Sequence, residues 1–217
     1  MMYPPPPWNL RGQLYGSLWS VPVKDFQAEL PSVFKPLVNF GRVGVYAGFV
    51  DYQAGSSLVY HELLGGLVVR LKGTLRYALH VTHMWVDSEA SRQGGRERWG
   101  VPKEIARFDY DFGENSQDFK GKAYTAEAKI LAKGDFKKIV SLPRRVRLPT
   151  PFPNLQILDG KACNASGTFW SVLELCKGGM LIPAESPLAT LGIAGRKPLV
   201  SFGGLNFRMK LQAARII

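Results

Sequence analysis

The chain has 217 residues, 46% of them hydrophobic and 21% charged, a composition that excludes a disordered or fibrous protein. Its length suits one large domain, and we expect a single domain over residues 1–217. Lys and Arg outnumber Asp and Glu by 28 to 17, and the net charge of +11 favours anionic partners such as nucleic acid, acidic membrane surfaces or small carboxylates.

The longest apolar stretches are interrupted by Gly, Pro or charged residues before they reach the roughly 20 residues that a membrane-spanning helix needs. Residues 1–11 form a proline-rich run, whereas a secretory signal has a basic segment followed by an apolar one. We therefore predict no transmembrane segment and a cytoplasmic location.

Most predicted elements are strands, because apolar residues recur with a period of two. In chain order, the strands are predicted at residues 13–21, 44–52, 69–85, 107–112, 123–132, 136–142, 154–158, 168–175 and 199–211. In the long segment Val69 to Trp85, we expect Gly73 to mark a bend or bulge. One face of that segment carries Leu79, Val81, His83 and Trp85. This pattern predicts a mainly β fold, an antiparallel barrel or sandwich.

Helical patterns are few. Pro22 to Leu30 is one candidate, because Pro is tolerated in a first turn and Phe26 and Leu30 are four residues apart. A second short helix is predicted after Ser88, a good N-cap residue, ending at about Arg98.

The histidines are weak candidates for a metal site. His80 and His83 are separated by an odd number of residues within a strand, so their side chains point to opposite faces. His61 is distant in sequence, and we predict no metal or other cofactor.

A run of basic residues is the candidate for nucleic-acid binding: Lys129, Lys133, Lys137, Lys138, Arg144, Arg145 and Arg147. Aromatic residues, which stack on bases, are not interleaved with these charges, so a solvated strand face or an oligomer surface is favoured. We predict no nucleic-acid partner.

Lys103 follows a Gly-rich turn and Pro102 and precedes an alternating strand. A lysine is a nucleophile only when its amine is neutral, which requires burial or a neighbouring positive charge. The pattern alone favours a surface lysine at the start of a strand.

The segments around this lysine resemble the acetoacetate decarboxylase family. The residues that carry the resemblance are Val86–Glu89, Gly95–Glu97, Trp99–Lys103, Pro6–Trp8 with Gly12 and Tyr15, Tyr60–Glu62, and a block from Pro198 through Phe202 to Ala213. The resemblance implies a mainly β, antiparallel, cone-like barrel with a few short helices, assembled into homo-oligomers. It further implies that Lys103 forms a Schiff base with a small keto acid and that Glu62 is an active-site carboxylate.

Three positions depart from the family pattern. Glu104 replaces a second lysine, Gln13 lies near the position of an arginine, and Ala47 near that of a second glutamate. Since neighbouring residues on a strand alternate faces, Glu104 is able to point away and leave burial alone to lower the pKa of Lys103. We expect Gln13 to affect capture of a substrate carboxylate, and His83 and Trp85 to contribute to an apolar substrate wall if their face is the inner one.

A second resemblance is to the plant neoxanthin-deficiency proteins, distant members of the same superfamily linked to carotenoid metabolism. It is carried by Pro7-Trp8, Arg11–Tyr15, Pro102 and Ile105–Phe108. Two functions therefore stay open: a Schiff-base lyase for a keto acid (decarboxylation, or related aldol or dehydration chemistry), and a binding or isomerising module for an apolar ligand such as an isoprenoid or carotenoid.

Overall fold

The structure is a computed structural model that describes residues 3–113, 118–141 and 150–217. Over these residues it has one α-helix, α1 (Glu89–Trp99), and short 3₁₀ segments at Val23–Asp25 and Pro187–Leu191. The strands in the same residues are β1 Trp8–Pro22, β2 Phe34–Pro36, β3 Val38–Asn39, β4 Arg42–Tyr52, β5 Tyr60–Leu71, β6 Tyr77–Val86, β7 Lys103–Ile105, β8 Arg107–Phe112, β9 Asp118–Tyr124, β10 Ile130–Ser141, β11 Thr150–Phe152, β12 Leu155–Leu158, β13 Lys161–Asn164, β14 Gly167–Leu181, β15 Val200–Leu211 and β16 Arg215–Ile216. In this described part of the chain, the α-helix falls short of the length and apolar character that crossing a bilayer requires.

The main sheet is almost entirely antiparallel and rolls back on itself. Its strand order is β7-β6-β5-β4-β1-β15-β14-β10-β9-β8, and β6 with β7 is a parallel pair. The strands at the two ends of this path, β7 and β8, are separated in the chain by Ala106 alone. The two edges of the sheet therefore meet at Ala106, where β7 leads directly into β8. The prediction of a mainly β, antiparallel, barrel-like fold is confirmed.

The sheet buries side chains on both faces, because successive residues of a strand point to opposite sides. On one face, an aromatic layer packs around Phe49, Phe119 and Phe136, and Tyr15 stacks on Phe119 with ring centroids 4.3 Å apart. On the other face, a separate buried cluster surrounds Trp8. A strand that is buried on both faces, such as β4, therefore separates two apolar compartments.

The prediction of one long strand from Val69 to Trp85 is wrong, because this segment contains the turn of a hairpin. β5 ends at Leu71, Gly73 has a left-handed φ of 75°, and β6 begins at Tyr77. The alternation survives the turn, so the sequence pattern did not reveal it. β6 also has one extra residue, Thr82, where its pairing with β5 shifts register. This bulge reverses which face the following residues occupy.

Two other predicted elements also differ from the structure in their bounds. The predicted strand 123–132 is interrupted by a turn between Tyr124 and Ile130, where Thr125 N–H donates to the carbonyl of Lys129. The predicted helix Pro22–Leu30 is reduced to the 3₁₀ segment Val23–Asp25, because the N–H of Gln27 donates to the carbonyl of Thr190, in another part of the chain.

Part of the basic run and the last residue of the predicted strand 136–142 lie outside the described residues; these are Arg144, Arg145, Arg147 and Leu142. The helix predicted after Ser88 is confirmed as α1, with Ser88 accepting a hydrogen bond from the N–H of Ser91 at 3.2 Å.

Candidate active site

A cavity of about 690 Å³ lies on the face of the sheet that carries Trp8. It runs along β4 from Tyr52 to Gly44 and along β5 from Tyr60 to Val68. Most of its wall is apolar. The polar side chains among its described lining residues are Ser20, Tyr46, Tyr52, Tyr60, Glu62, Lys103 and Asn154.

The two ends of this cavity differ in exposure. Lys103, Glu62 and Tyr60 are buried, whereas Leu18 is 40% exposed and Leu199 is 74% exposed. The cavity is therefore closed at the lysine end and open at the end formed by Leu18 and Leu199.

The backbone around Lys103 is held in place by α1 and the turn that follows it. Gly100 ends the helix in the left-handed region with φ 65°, where an added Cβ would meet the carbonyl oxygen of Ile157 at 1.9 Å. Lys103 is the first residue of β7 and pairs with Met84 of the parallel neighbour β6. The guanidinium Nε of Arg96 donates to the carbonyl of Lys103 at 2.6 Å. These contacts direct the Lys103 side chain into the closed end of the cavity.

A glycine in α1 makes room for the lysine chain. A Cβ added at Gly95 would lie 2.6 Å from Cδ and 2.7 Å from Cε of Lys103. Any larger residue at this helix position would displace the lysine, so Gly95 has a steric role.

The Lys103 amine has three hydrogen-bond partners. Nζ donates to Ser91 Oγ at 2.9 Å, to Glu62 Oε2 at 3.0 Å and to the hydroxyl of Tyr60 at 3.2 Å. Lys103 is 5% exposed and Glu62 is 3% exposed. The structure therefore brings together the two residues that the resemblance assigned as catalytic.

Glu62 is held in turn by two tyrosines. The hydroxyl of Tyr52 donates to Oε1 at 3.1 Å and that of Tyr60 to Oε2 at 3.4 Å. Burial, followed by the negative charge of Glu62, raises the pKa of Tyr52 well above its usual value. Burial also raises the pKa of Tyr60, to about 12. Both phenols stay protonated at neutral pH and act as donors that orient the carboxylate.

The charge state of Lys103 differs from the prediction. Burial does disfavour the ammonium, as expected, but the contacts with Glu62 and Tyr60 outweigh burial and raise the pKa of Lys103 above its ordinary value. The prediction that an apolar enclosure keeps the amine neutral is wrong, because the carboxylate that completes the site is also the counter-ion of the lysine, 3.0 Å from Nζ.

Glu104, the neighbour of Lys103, points out of the cavity. Its side chain is 64% exposed and lies 4.0 Å from the guanidinium of Arg96. The alternation along β7 thus keeps this second carboxylate away from the amine.

The other three predicted site residues are not among the described residues that line the cavity. Gln13 lies at the register shift between β1 and β15 and accepts a hydrogen bond from the hydroxyl of Tyr15 at 3.0 Å. His83 and Trp85 follow the bulge at Thr82, and their rings stack on each other. The residues of β6 that line the cavity are Leu79, Val81 and Met84.

Tyr52, Tyr60 and Ser91 are functional candidates that the sequence reasoning did not assign. Tyr60 carried a signal, since it lies two residues before Glu62 and so shares its face in a strand. Tyr52 is opposite Tyr60 across the β4–β5 pair, and Ser91 comes from α1. Neither of these contacts can be derived without knowing which strands are neighbours.

A comparison with protein-family models finds one match, the acetoacetate decarboxylase (ADC) family, over residues 2–161. The match covers more than two thirds of the chain. The protein therefore belongs to the acetoacetate decarboxylase family, a family of decarboxylase-like enzymes. A comparison with curated proteins finds no match.

Solved structures of similar fold include an acetoacetate decarboxylase from Legionella pneumophila (19% identity, TM-score 0.75, covering 100% of this chain and 89% of that chain). Another is an acetoacetate decarboxylase-like enzyme from Sphingomonas wittichii RW1 (13% identity, TM-score 0.70, 100% and 94%). A third is the enduracididine biosynthesis enzyme MppR complexed with pyruvate (15% identity, TM-score 0.71, 99% and 91%). At these identities, the likeness concerns the fold.

Proposed function

We propose that the protein is a lyase that forms a Schiff base between Lys103 and the keto group of a keto acid with an apolar chain. The observation that carries this proposal is the contact of 3.0 Å between Lys103 Nζ and Glu62 Oε2 at the closed end of an apolar cavity. Membership of the decarboxylase family supports the reaction type. The pyruvate complex of MppR supports a keto compound as the ligand class.

The first step is proton transfer within the buried pair. The ammonium of Lys103 gives a proton to Glu62, which is the described carboxylate within hydrogen-bond distance of Nζ. The neutral amine then attacks the keto carbon. Glu62 returns the proton to the carbinolamine hydroxyl, water leaves, and a protonated imine remains.

The protonated imine acts as the electron sink for bond cleavage. For a β-keto acid, the bond between the α-carbon and the carboxyl carbon breaks, carbon dioxide leaves, and the electron pair forms an enamine. A proton taken up from solvent through Glu62 is added to the α-carbon, and water hydrolyses the imine. The products are a ketone and carbon dioxide, with the free amine restored. An aldol cleavage or dehydration would use the same imine.

The wall of the cavity indicates what the rest of the substrate is made of. Lys103 is the one Lys or Arg among the lining residues that the structure describes, and Ala47 lines the cavity where the family pattern has a glutamate. A volume of about 690 Å³ lies within the range of roughly 300–1,000 Å³ found for drug-sized ligands. These features support a substrate with one reactive head group at Lys103 and an apolar chain toward Leu18.

Trapping the imine tests the proposal. The protein is incubated separately with acetoacetate, pyruvate and 3-oxododecanoate, reduced with borohydride, and mapped by peptide mass spectrometry, while carbon dioxide release is followed in parallel. We expect a reduced adduct on Lys103 with at least one keto acid and none in Lys103→Arg, which keeps the positive charge. Absence of any adduct on Lys103 across the panel would rule out Schiff-base chemistry.

The apolar wall also favours a second candidate, a binding or isomerising module for an apolar ligand such as an isoprenoid. In that function the buried Lys103–Glu62 pair would be a polar anchor at the end of the cavity. This candidate predicts that lipid or pigment co-purifies with the protein and that Lys103→Met still binds it. The lyase proposal predicts loss of all turnover in that variant.

A further inference from the structure

The open end of the cavity is surrounded by large apolar side chains that are exposed. Phe40 is fully exposed, Leu75 is 84% exposed and Leu199 is 74% exposed. Each lies in a turn or at the start of a strand. Scattered exposed apolar residues are common, but exposed residues gathered around one opening indicate an interaction surface.

The strand pairing places these residues at one end of the sheet. Gly41 accepts a hydrogen bond from the N–H of Val23 just before β4 begins, and the turn that contains Leu75 joins the end of β5 to the start of β6. β4, β5 and β6 are neighbours in the sheet, so the two turns project from the same end. The N–H of Leu199 donates to the carbonyl of Leu18, which lines the opening.

The same end is rich in positive charge. Residues 30–50 and 63–86 contain no Asp or Glu. The basic residues beside the turns are Lys35, Arg42, Arg70, Lys72, Arg76 and Lys197. A nearby acid, Asp25, is paired with Arg196 at 2.7 Å. These basic residues, together with Phe40, Leu75 and Leu199, form a surface that we call the rim.

We propose that the rim docks the protein on the surface of an anionic lipid bilayer, with the cavity opening toward the lipid. Exposed apolar side chains that enter the headgroup region, flanked by cations that face anionic headgroups, are the two features that bind a peripheral protein to a membrane. Combined with the proposed function, this orientation lets an apolar substrate pass from the bilayer to Lys103 without crossing water.

Two other partners fit the rim less well. A second copy of the chain in a symmetric dimer would place the cationic rim against itself, and like charges repel. A nucleic acid would find the positive charge, but Phe40 is the one aromatic side chain among the three apolar residues of the rim, and Leu75 and Leu199 offer no face on which a base could stack.

Vesicle binding tests the rim. The protein is mixed with vesicles of phosphatidylcholine alone and of phosphatidylcholine with phosphatidylglycerol, and the bound fraction is measured by flotation. We expect binding to the anionic vesicles only. The double variant Phe40→Asn/Leu75→Ser should bind at least about tenfold more weakly, because two apolar insertions are lost. Asn is chosen because residue 40 has a positive φ of 49°, which Asn tolerates.

Matched controls separate the rim from general surface properties. Ile139→Ser removes an apolar side chain that is 65% exposed on β10, and it should leave binding unchanged. Arg42→Gln/Arg76→Gln should weaken binding roughly fivefold per cation. Lys120→Gln/Lys122→Gln, which removes two exposed cations of β9, should weaken it less.

Three results would overturn the proposal: equal binding to neutral and anionic vesicles, full binding by Phe40→Asn/Leu75→Ser, or self-association that this double variant abolishes. Adduct formation on Lys103 with soluble acetoacetate or pyruvate is measured without vesicles. A rim variant that forms the adduct normally but does not bind vesicles therefore separates membrane docking from the chemistry.

Discussion

The two ends of the cavity have opposite physical character although the same strands build both. At the closed end, Lys103 and Glu62 are buried and each has several hydrogen-bond partners. At the open end, Leu18 and Leu199 are exposed, and most of the basic residues of the rim are exposed as well. A charge that is buried needs a partner, whereas a charge at the surface is solvated by water. The proposed chemistry therefore lies at the closed end, and the proposed docking on a lipid surface lies at the open end.

The strand pair β4–β5 shows how this difference arises. Tyr52 pairs with Tyr60 at the closed end, and Val45 pairs with Leu67 toward the open end. Moving from Glu62 to Val68 advances six residues, or about 20 Å along a strand. A substrate of that length would have its reactive group beside Lys103 and its other end near the opening.

Replacing the lysine gives the largest expected effect at the closed end. Lys103→Arg keeps the charge opposite Glu62 but cannot form an imine, so turnover of every substrate should fall to background while the melting temperature changes little. Steady-state release of carbon dioxide and thermal unfolding are the two measurements. Activity retained in this variant would show that the closed end is not the reactive one.

Glu62→Gln is expected to have the next largest effect. Loss of the proton acceptor beside Nζ should lower kcat by about 10²–10⁴-fold, the usual contribution of general acid–base catalysis. Glu104→Gln is the matched control, since Glu104 is exposed on the same strand as Lys103, and its kcat should stay near that of the wild type. Equal losses in both variants would contradict the assigned role of Glu62.

A substitution near the open end should discriminate between substrates by length. Val68→Trp fills part of the cavity far from Lys103 and leaves the closed end unchanged. Because each buried methylene contributes about 0.8 kcal/mol, displacing a few of them should lower kcat/KM for 3-oxohexadecanoate by ten- to a hundredfold. Turnover of acetoacetate should not change. An equal loss for both substrates would mean that the chain does not extend along the cavity.

The smallest effect is expected for Gly95→Ala in α1. Alanine favours a helix by about 1 kcal/mol, but overpacking a buried contact costs roughly 1–3 kcal/mol. The added Cβ would press on Lys103 Cδ, so we expect a modest loss of stability together with slower adduct formation. Gly44→Ala is the control for adduct formation with acetoacetate, because Gly44 lies at the open end of the cavity, far from Lys103, and a Cβ there meets no atom within 4 Å. A drop in stability with normal adduct formation would show that Gly95 does not help to position Lys103.

The fold was predictable where local rules decide it. Period-two alternation located β8, and the N-cap Ser88 located α1. The hairpin within 69–85 was missed because its turn preserves the alternation, and the bulge at Thr82 was missed because it depends on pairing with β5. That bulge moves Met84 into the cavity wall in place of His83.

The site was predictable in part. The resemblance singled out Lys103 and Glu62, whose side chains lie 3.0 Å apart in the structure. Alternation allowed Glu104 to point outward, as it does. The raised pKa of Lys103 was not predictable, because it depends on the distance between two residues 41 positions apart in the chain. The hydrogen bonds from Tyr52 to Glu62 and from Lys103 to Ser91 likewise depend on tertiary packing.

The pH dependence of adduct formation on Lys103 tests the central claim most directly. The fraction of reduced adduct formed with one keto acid is measured against pH in the wild type and in Glu62→Gln. Since a raised pKa keeps the amine protonated at neutral pH, adduct formation should increase with pH in the wild type. Without the carboxylate, burial is opposed only by the weaker contact with Tyr60, so the midpoint should move to lower pH. An adduct on Lys103 with the same midpoint in both proteins, or no adduct at any pH, would contradict the account.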